Sequence, residues 1–244
     1  MGRPVIYMVI DVFSRMIAGF YIGFENPSYA AAMQALTLAM TNKVDYCKHY
    51  GFEITENEWP IVGLPDAILA DRGELLGHQI ESLESSFSVR IENTPPYRGD
   101  AKGIVERSFG TIQAEFKPFA PGVVTGTKIK KHGGKDYRLD AILTIREFKE
   151  IIISSILVHN QFDILEKYDR HIDMPTDLMM TPLSIWKWGL QHRTGRLRVA
   201  SEGALKVSLL PRAKGTFSDF GVCVFGVYFT SPEIIQKGWL HRAK

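Results

Sequence analysis

Residues 101–117 constrain the fold more than any other stretch. Val105, Phe109, Ile112 and Phe116 recur at i, i+4, i+7 and i+11, the one-sided apolar stripe of a helix laid against a sheet. Pro118 and Pro121 stop that helix because proline cannot continue the hydrogen-bond ladder. Glu106 lies off the stripe, with Gly110 and Gln113 on its side, so that side is expected to face a groove. Mid-helix Gly110 costs on the order of 1 kcal/mol against alanine. It reads either as close approach by something bulky or as a poor residue with no function.

The other elements alternate. Val5 to Ile10 and Met16 to Phe24 are β-branched and aromatic runs, and Asp11 to Arg15 between them is short enough for a hairpin. Ser28 opens a helix over 28–41, with Tyr29, Met33, Leu36 and Met40 at helical spacing. Residues 42–64 read as an insertion, 66–70 as a strand, 78–86 as a helix and 89–92 as a strand. A strong helix runs from Thr144 to Asn160 and a short one from Pro182 to Leu190. Strands are expected at Leu205–Leu209, Thr216–Phe217 and Val222–Phe229, the makings of part of a small β-barrel.

Two carboxylates stand out on this frame. Asp71 ends the apolar strand Asp66-Ala67-Ile68-Leu69-Ala70, and Glu106 sits just inside the striped helix, which opens after the turn at 95–100. Such a pair can hold a divalent cation between them, since Mg²⁺ needs only one or two carboxylates plus substrate phosphate. That reading is metal-assisted phosphoryl transfer on DNA. Taken singly, each residue has a bland role as well: a turn-capping Asp, and a Glu favoured by the helix dipole.

Charge and composition narrow the field. Residues 1–180 carry 19 Lys and Arg against 24 Asp and Glu, whereas 181–244 carry 10 against 3. An acidic first part and a basic last part suit a metal-dependent enzyme with an appended nucleic-acid-binding module. A Lys- and Gly-rich loop at 121–138 adds Lys128, Lys130 and Lys131, the kind of segment a phosphate backbone attracts. No apolar run approaches bilayer length. Cys47 and Cys223 stand alone, without a CxxC or zinc spacing, and read as buried thiols in a reducing cytoplasm.

Three segments in order carry a family resemblance: Val9-Ile10-Asp11-Val12-Phe13-Ser14-Arg15, Leu69-Ala70-Asp71-Arg72-Gly73, and Pro96 through Glu106, with 34 residues between Asp71 and Glu106. They resemble the ribonuclease-H-like core of DDE transposases and retroviral integrases. Gly-Phe-Glu-Asn-Pro-Ser-Tyr at 23–29, Asp-Ala-Lys-Gly-Ile-Val-Glu at 100–106, Trp-Lys-Trp-Gly-Leu at 186–190 and Leu-Leu-Pro-Arg at 209–212 look closer to the TnsB-like transposases, relatives of phage Mu transposase. The resemblance covers essentially the whole chain.

The resemblance implies an α/β fold: a ribonuclease-H-like integrase catalytic core, a mixed sheet flanked by helices, over 1–162. A linker at 163–180 would follow, and then a Mu-transposase-like C-terminal helix with an incomplete β-barrel over 181–244. Asp71 and Glu106 would be catalytic and metal-binding, with two Mg²⁺ or Mn²⁺ ions in the complete site. That site would cut the 3′ transposon ends and join them to target DNA. Lys102, Arg107, Lys128, Lys130, Lys131, Arg193, Arg196 and Arg198 would contact DNA. Partners would be transposon-end and target DNA, further copies of the chain on DNA, an endonuclease subunit and a target-selecting ATPase, in the bacterial cytoplasm. The chain departs from the family where Gly110 and Gln113 stand at positions that often hold Lys or Arg.

The first strand is a further departure. In this family three strands precede the first helix and the first catalytic Asp lies on the first of them, whereas only two fit here. Asp11 then reads as a hairpin Asp bonding its own turn. The family's first strand would be missing, and the chain would be an incomplete fragment, poorly soluble or dimerising by itself. The alternative readings are a non-catalytic DNA-binding or assembly fragment of a transposase, and a hydrolytic nuclease of the ribonuclease-H superfold.

Overall fold

The computed structural model describes residues 4–25, 28–70, 87–93, 99–120, 142–193, 197–210 and 213–240. The chain divides into two compact units, Met1–Leu209 and Leu210–Lys244.

The first unit begins with the expected hairpin, β1 (Val5–Ile10) against β2 (Ile17–Gly23), antiparallel with a bulge at Val9/Ile10. Asp11 makes its turn: the Ser14 backbone N–H and hydroxyl both donate to Asp11 Oδ2 at 2.7 Å, and the Arg15 N–H donates to the Asp11 carbonyl at 2.9 Å. Arg15 closes the turn at φ 65°, a left-handed conformation uncommon outside glycine. The hairpin role expected of Asp11 is the one it fills.

Helix α1 (Tyr29–Met40) is capped by Ser28, whose side chain accepts from the Ala31 N–H. It lies directly on β2: a Cβ added to Gly19 would stand 2.5 Å from the Ala39 nitrogen and 2.8 Å from the Ala35 oxygen. Only glycine permits that approach. On β2's other side pack α3 (Gly99–Phe116) and α4 (Ile145–Phe162), reached once the short α2 (Val44–His49) has been passed. Met16, Ile17, Phe20 and Ile22 share one core with Ile112 and Phe116 of α3 and Ile152, Ile153 and Ile156 of α4. The α4 start is a full capping box between Thr144 and Glu147, two orphan helix-start donors satisfied reciprocally.

A non-local clamp fixes this layer. Asn160 of α4, fully buried, accepts from the Ile17 N–H at 2.9 Å and donates to the Ile17 carbonyl at 3.1 Å, and Trp59 Nε1 donates to the same carbonyl at 2.8 Å. Two side chains thus do for Ile17 what a neighbouring strand would do.

A second ladder, β3 (Ala67–Ala70) with β4 (Arg90–Asn93), is parallel, and Ala70 is paired with Asn93. It shares an apolar cluster with α1, with β1 through Tyr7 and Val9, and with α6 (Glu202–Leu209).

Three expectations change here. Leu205–Leu209 is helical, not a strand: Ser201 caps it, its side chain accepting from the Ala204 N–H, and Leu205 and Leu209 bury at i, i+4. Residues 163–180 are packed rather than a free linker. Leu165, Tyr168, Met174, Leu178 and Met180 close a core with Ile185 and Trp188 of α5 (Pro182–His192), and Arg170 donates to the carbonyls of Pro175, Thr176 and Leu178. Those apolar residues follow no helical or strand period, so the segment looks polar when read linearly. Helix α3 starts at Gly99, which puts Glu106 two turns in, beyond the reach of the dipole's end charge.

The second unit holds a three-stranded antiparallel meander, β5 (Thr216–Ser218), β6 (Gly221–Val224) and β7 (Val227–Phe229), followed by α7 (Pro232–Gln236). The continuous strand expected over 222–229 is split by a turn at Phe225-Gly226, both at positive φ. Among the described residues these strands form an open sheet, not a closed barrel. Cys47 is buried, and Cys223 is only partly so.

Candidate metal and nucleic-acid site

Parallel pairing sets the geometry. Because Ala70 and Asn93 are opposite each other, the chain leaves β3 and β4 at the same end of the ladder. Asp71 follows β3 directly, and α3 starts six residues after Asn93, a span of at most roughly 20 Å. Asp71 itself lies outside the described residues, as do Lys128, Lys130, Lys131, Arg196, the 78–86 segment and the 121–138 loop. The side chain of Lys102 does too.

Glu106 is exposed, as are Gly110 and Gln113 one and two turns on. The stripe faces the other way: Ile112 and Phe116 are buried, with Phe109 partly so; the Val105 side chain is outside the described residues. A Cβ on Gly110 would meet nothing within 4 Å. No part of the described chain requires glycine there, and the Glu106 face is open. Arg107 flanks it, exposed, with Nε donating to the Gly103 carbonyl at 3.3 Å, and Lys117 is exposed just past the helix end.

Two of the proposed DNA cations are engaged within the protein. Arg193 pairs with Asp173 at 3.0 Å and lies over the Trp188 and Phe13 rings at 5.5 and 5.8 Å. Arg198 donates to the carbonyls of Phe87, Ser88 and Pro65, and a backbone bridge joins its residue to Leu64. Arg198 is a post holding the chain before β3 to the chain before β4.

Two groups of titratable residues escaped the sequence reading. Glu115 of α3, and His159 and Asp163 at the end of α4, bring their ligand atoms within 4.8 Å of one another. His159 Nδ1 lies 2.8 Å from Asp163 Oδ2 and its Nε2 3.3 Å from the Arg15 carbonyl. Burial, and then the adjoining Asp163 carboxyl, push Glu115 above the ordinary carboxylate range. The i, i+4 spacing of His159 and Asp163 was the one available signal; Glu115, 44 positions earlier, gave none. Lys43, 1% exposed, donates from Nζ to the Ala39 carbonyl at 2.8 Å and to the Ile61 carbonyl. Burial holds it down to about 7.

Among the described residues no helix is long and apolar enough to cross a membrane. Comparison with known proteins identifies the lineage. The TnsB C-terminal domain family matches residues 1–122. The Transposon Tn7 transposition protein TnsB of Escherichia coli is 57% identical over 242 residues, 99% of this chain and 34% of that protein. The transposase for transposon Tn552 of Staphylococcus aureus is 25% identical over 124 residues, 50% of this chain and 24% of that protein. The chain therefore spans about a third or less of the length of these relatives. The family match over residues 1–122 and near-complete coverage at 57% identity lead to one conclusion: this chain belongs to the TnsB-like transposases.

Proposed function

We propose that this chain is a DNA-binding and assembly segment of a transposase. The open side of α3 carries the reading: Glu106, Gly110 and Gln113 are exposed in line, with Arg107 and Lys117 at its margins. A face with a backbone-only gap at Gly110 allows a phosphate chain to come close, and flanking cations supply the sequence-independent attraction. Fluorescence anisotropy with duplex DNA across a salt series tests it. Replacing Arg107 and Lys117 together with alanine should flatten the salt slope by roughly two units. Gly110→Gln should weaken binding without loss of stability. Unchanged binding in both variants would overturn the reading.

The second reading is catalytic, and the shared exit of β3 and β4 at one end of their ladder favours it. Asp71 and Glu106 would hold divalent ions, Mg²⁺ or Mn²⁺, which when bound activate an attacking oxygen and steady a leaving one. The exposed carboxylate of Glu106 fits that donor role, since hard cations take carboxylate oxygen. In this reading the helix-covered strands belong to a ribonuclease-H-like mixed sheet over 1–162. The chain would act with an endonuclease subunit and a target-selecting ATPase. In a transposase of the relatives' full length, Asp71→Asn or Glu106→Gln should abolish strand transfer and leave DNA binding largely intact. Near-normal joining by either variant would remove the assignment.

A further inference from the structure

The geometry points to a second metal site, independent of the proposed function: Glu115, His159 and Asp163 together bind one transition-metal dication of the zinc class and pin α3 to α4. Their ligand atoms already lie within 4.8 Å of one another. Small side-chain rotations would bring them onto one ion at the usual 2.0–2.2 Å bond lengths.

The histidine is set up as a ligand. Its Nε2 faces the Arg15 carbonyl, which can only accept; a ring that donates there from Nε2 turns Nδ1 toward Asp163 Oδ2, 2.8 Å away. Ligating histidines characteristically donate their other ring N–H to a carbonyl or carboxylate in this way. The imidazole is 3% exposed, and the loop presenting the Arg15 carbonyl is fixed by the Asp11 turn.

The carboxylates add a second, independent observation. Glu115 Oε2 is sealed from solvent with no hydrogen-bond partner, and a buried carboxylate oxygen without a partner is costly. Asp163 faces the same space at 30% side-chain exposure. Two carboxyls beside one imidazole in a half-dry pocket need either shared protons or a cation between them. Arg15, whose carbonyl faces His159, turns its guanidinium elsewhere, donating to the Val12 carbonyl and lying 5.7 Å from the Tyr168 ring centre.

One imidazole and two carboxylates suit Zn²⁺, with water as fourth ligand, better than Mg²⁺ or Ca²⁺, which favour all-oxygen sets. Glu115 is nine residues beyond Glu106 on α3, about 13 Å along the helix and on its opposite side. An ion here would fix the roll of α3 and thereby the direction of the Glu106 face.

The test uses the purified, untagged chain stripped with chelator. Adding ZnCl₂ should raise the melting temperature by several degrees, calorimetry should give one ion per chain, and MgCl₂ at equal concentration should do neither. Glu115→Gln and Asp163→Asn preserve shape, and each should weaken zinc binding roughly tenfold or more. Absence of a zinc-dependent shift in the unaltered chain would overturn the proposal. So would zinc binding that both variants retain, which would place the ion elsewhere. A Glu115→Gln chain more stable than the zinc-free original, with zinc inert on both, would identify the cluster as a proton-sharing carboxyl pair and also overturn it.

Discussion

Replacing Asn160 with alanine removes both hydrogen bonds that its side chain makes to Ile17, and the two losses are unequal. The Ile17 N–H has Asn160 as its acceptor and would be left buried and unpaired, at about 1–3 kcal/mol. The Ile17 carbonyl keeps Trp59 Nε1, so losing the second bond costs only about 1 kcal/mol. Residual cavity adds a fraction more. The expected total is about 3 kcal/mol, a large share of the 5–15 kcal/mol typical of a domain. Urea unfolding followed by circular dichroism should show a lower midpoint at unchanged slope. Trp59→Phe alone should lose about 1 kcal/mol through that carbonyl. The double variant should lose more than the sum, because the carbonyl then has neither donor. A cost below about 1 kcal/mol for Asn160→Ala, or strict additivity in the double variant, would refute the clamp.

Gly19→Ala should destabilise at least as strongly, since its Cβ would stand 2.5 Å from the α1 backbone; a melting temperature within about 1 °C of the original would contradict that contact. Arg198→Ala should lower stability by leaving the Phe87, Ser88 and Pro65 carbonyls short of a donor, while the salt slope of DNA binding stays unchanged. A flattened slope at unaltered stability would return Arg198 to the DNA surface. Lys43 sets a pH dependence: its folded value is held to about 7 against 10.5 when unfolded, so the unfolded chain binds more protons between them and stability should climb as pH rises from 7. Cys47, pushed up to about 11 by burial, opposes this above about pH 9, and Glu115, pushed up to about 8 by burial and then by Asp163, opposes it below about pH 8, so the clear window is pH 8 to 9. Lys43→Met should abolish the rise, and an identical slope in that variant would rule Lys43 out as its source.

Elements specified by neighbours in the chain could be read from the sequence: the Asp11 hairpin, the Ser28 and Thr144 caps, Pro182 at the start of α5, and the α3 stripe with Glu106 off it. Each has its signal within about one helical turn. What escaped was specified across the chain. Leu205 and Leu209 form a two-point helical face visible only once α1 offers them a surface. Leu165, Tyr168, Met174, Leu178 and Met180 pack without a period because an irregular loop wraps Trp188. Arg193 and Arg198 read as DNA contacts, whereas partners distant in sequence engage them within the protein. Glu115 and His159 meet because α3 packs directly on α4.

The Asn160–Trp59 clamp also limits how the hairpin can grow. A strand edge is a row of unpaired donors and acceptors open to another strand, and β2 begins with its outward pair at Ile17 already capped by side chains. An incoming strand therefore meets a blocked register at that end of β2. Two buried side chains around a single peptide unit close that position of β2 to any further strand.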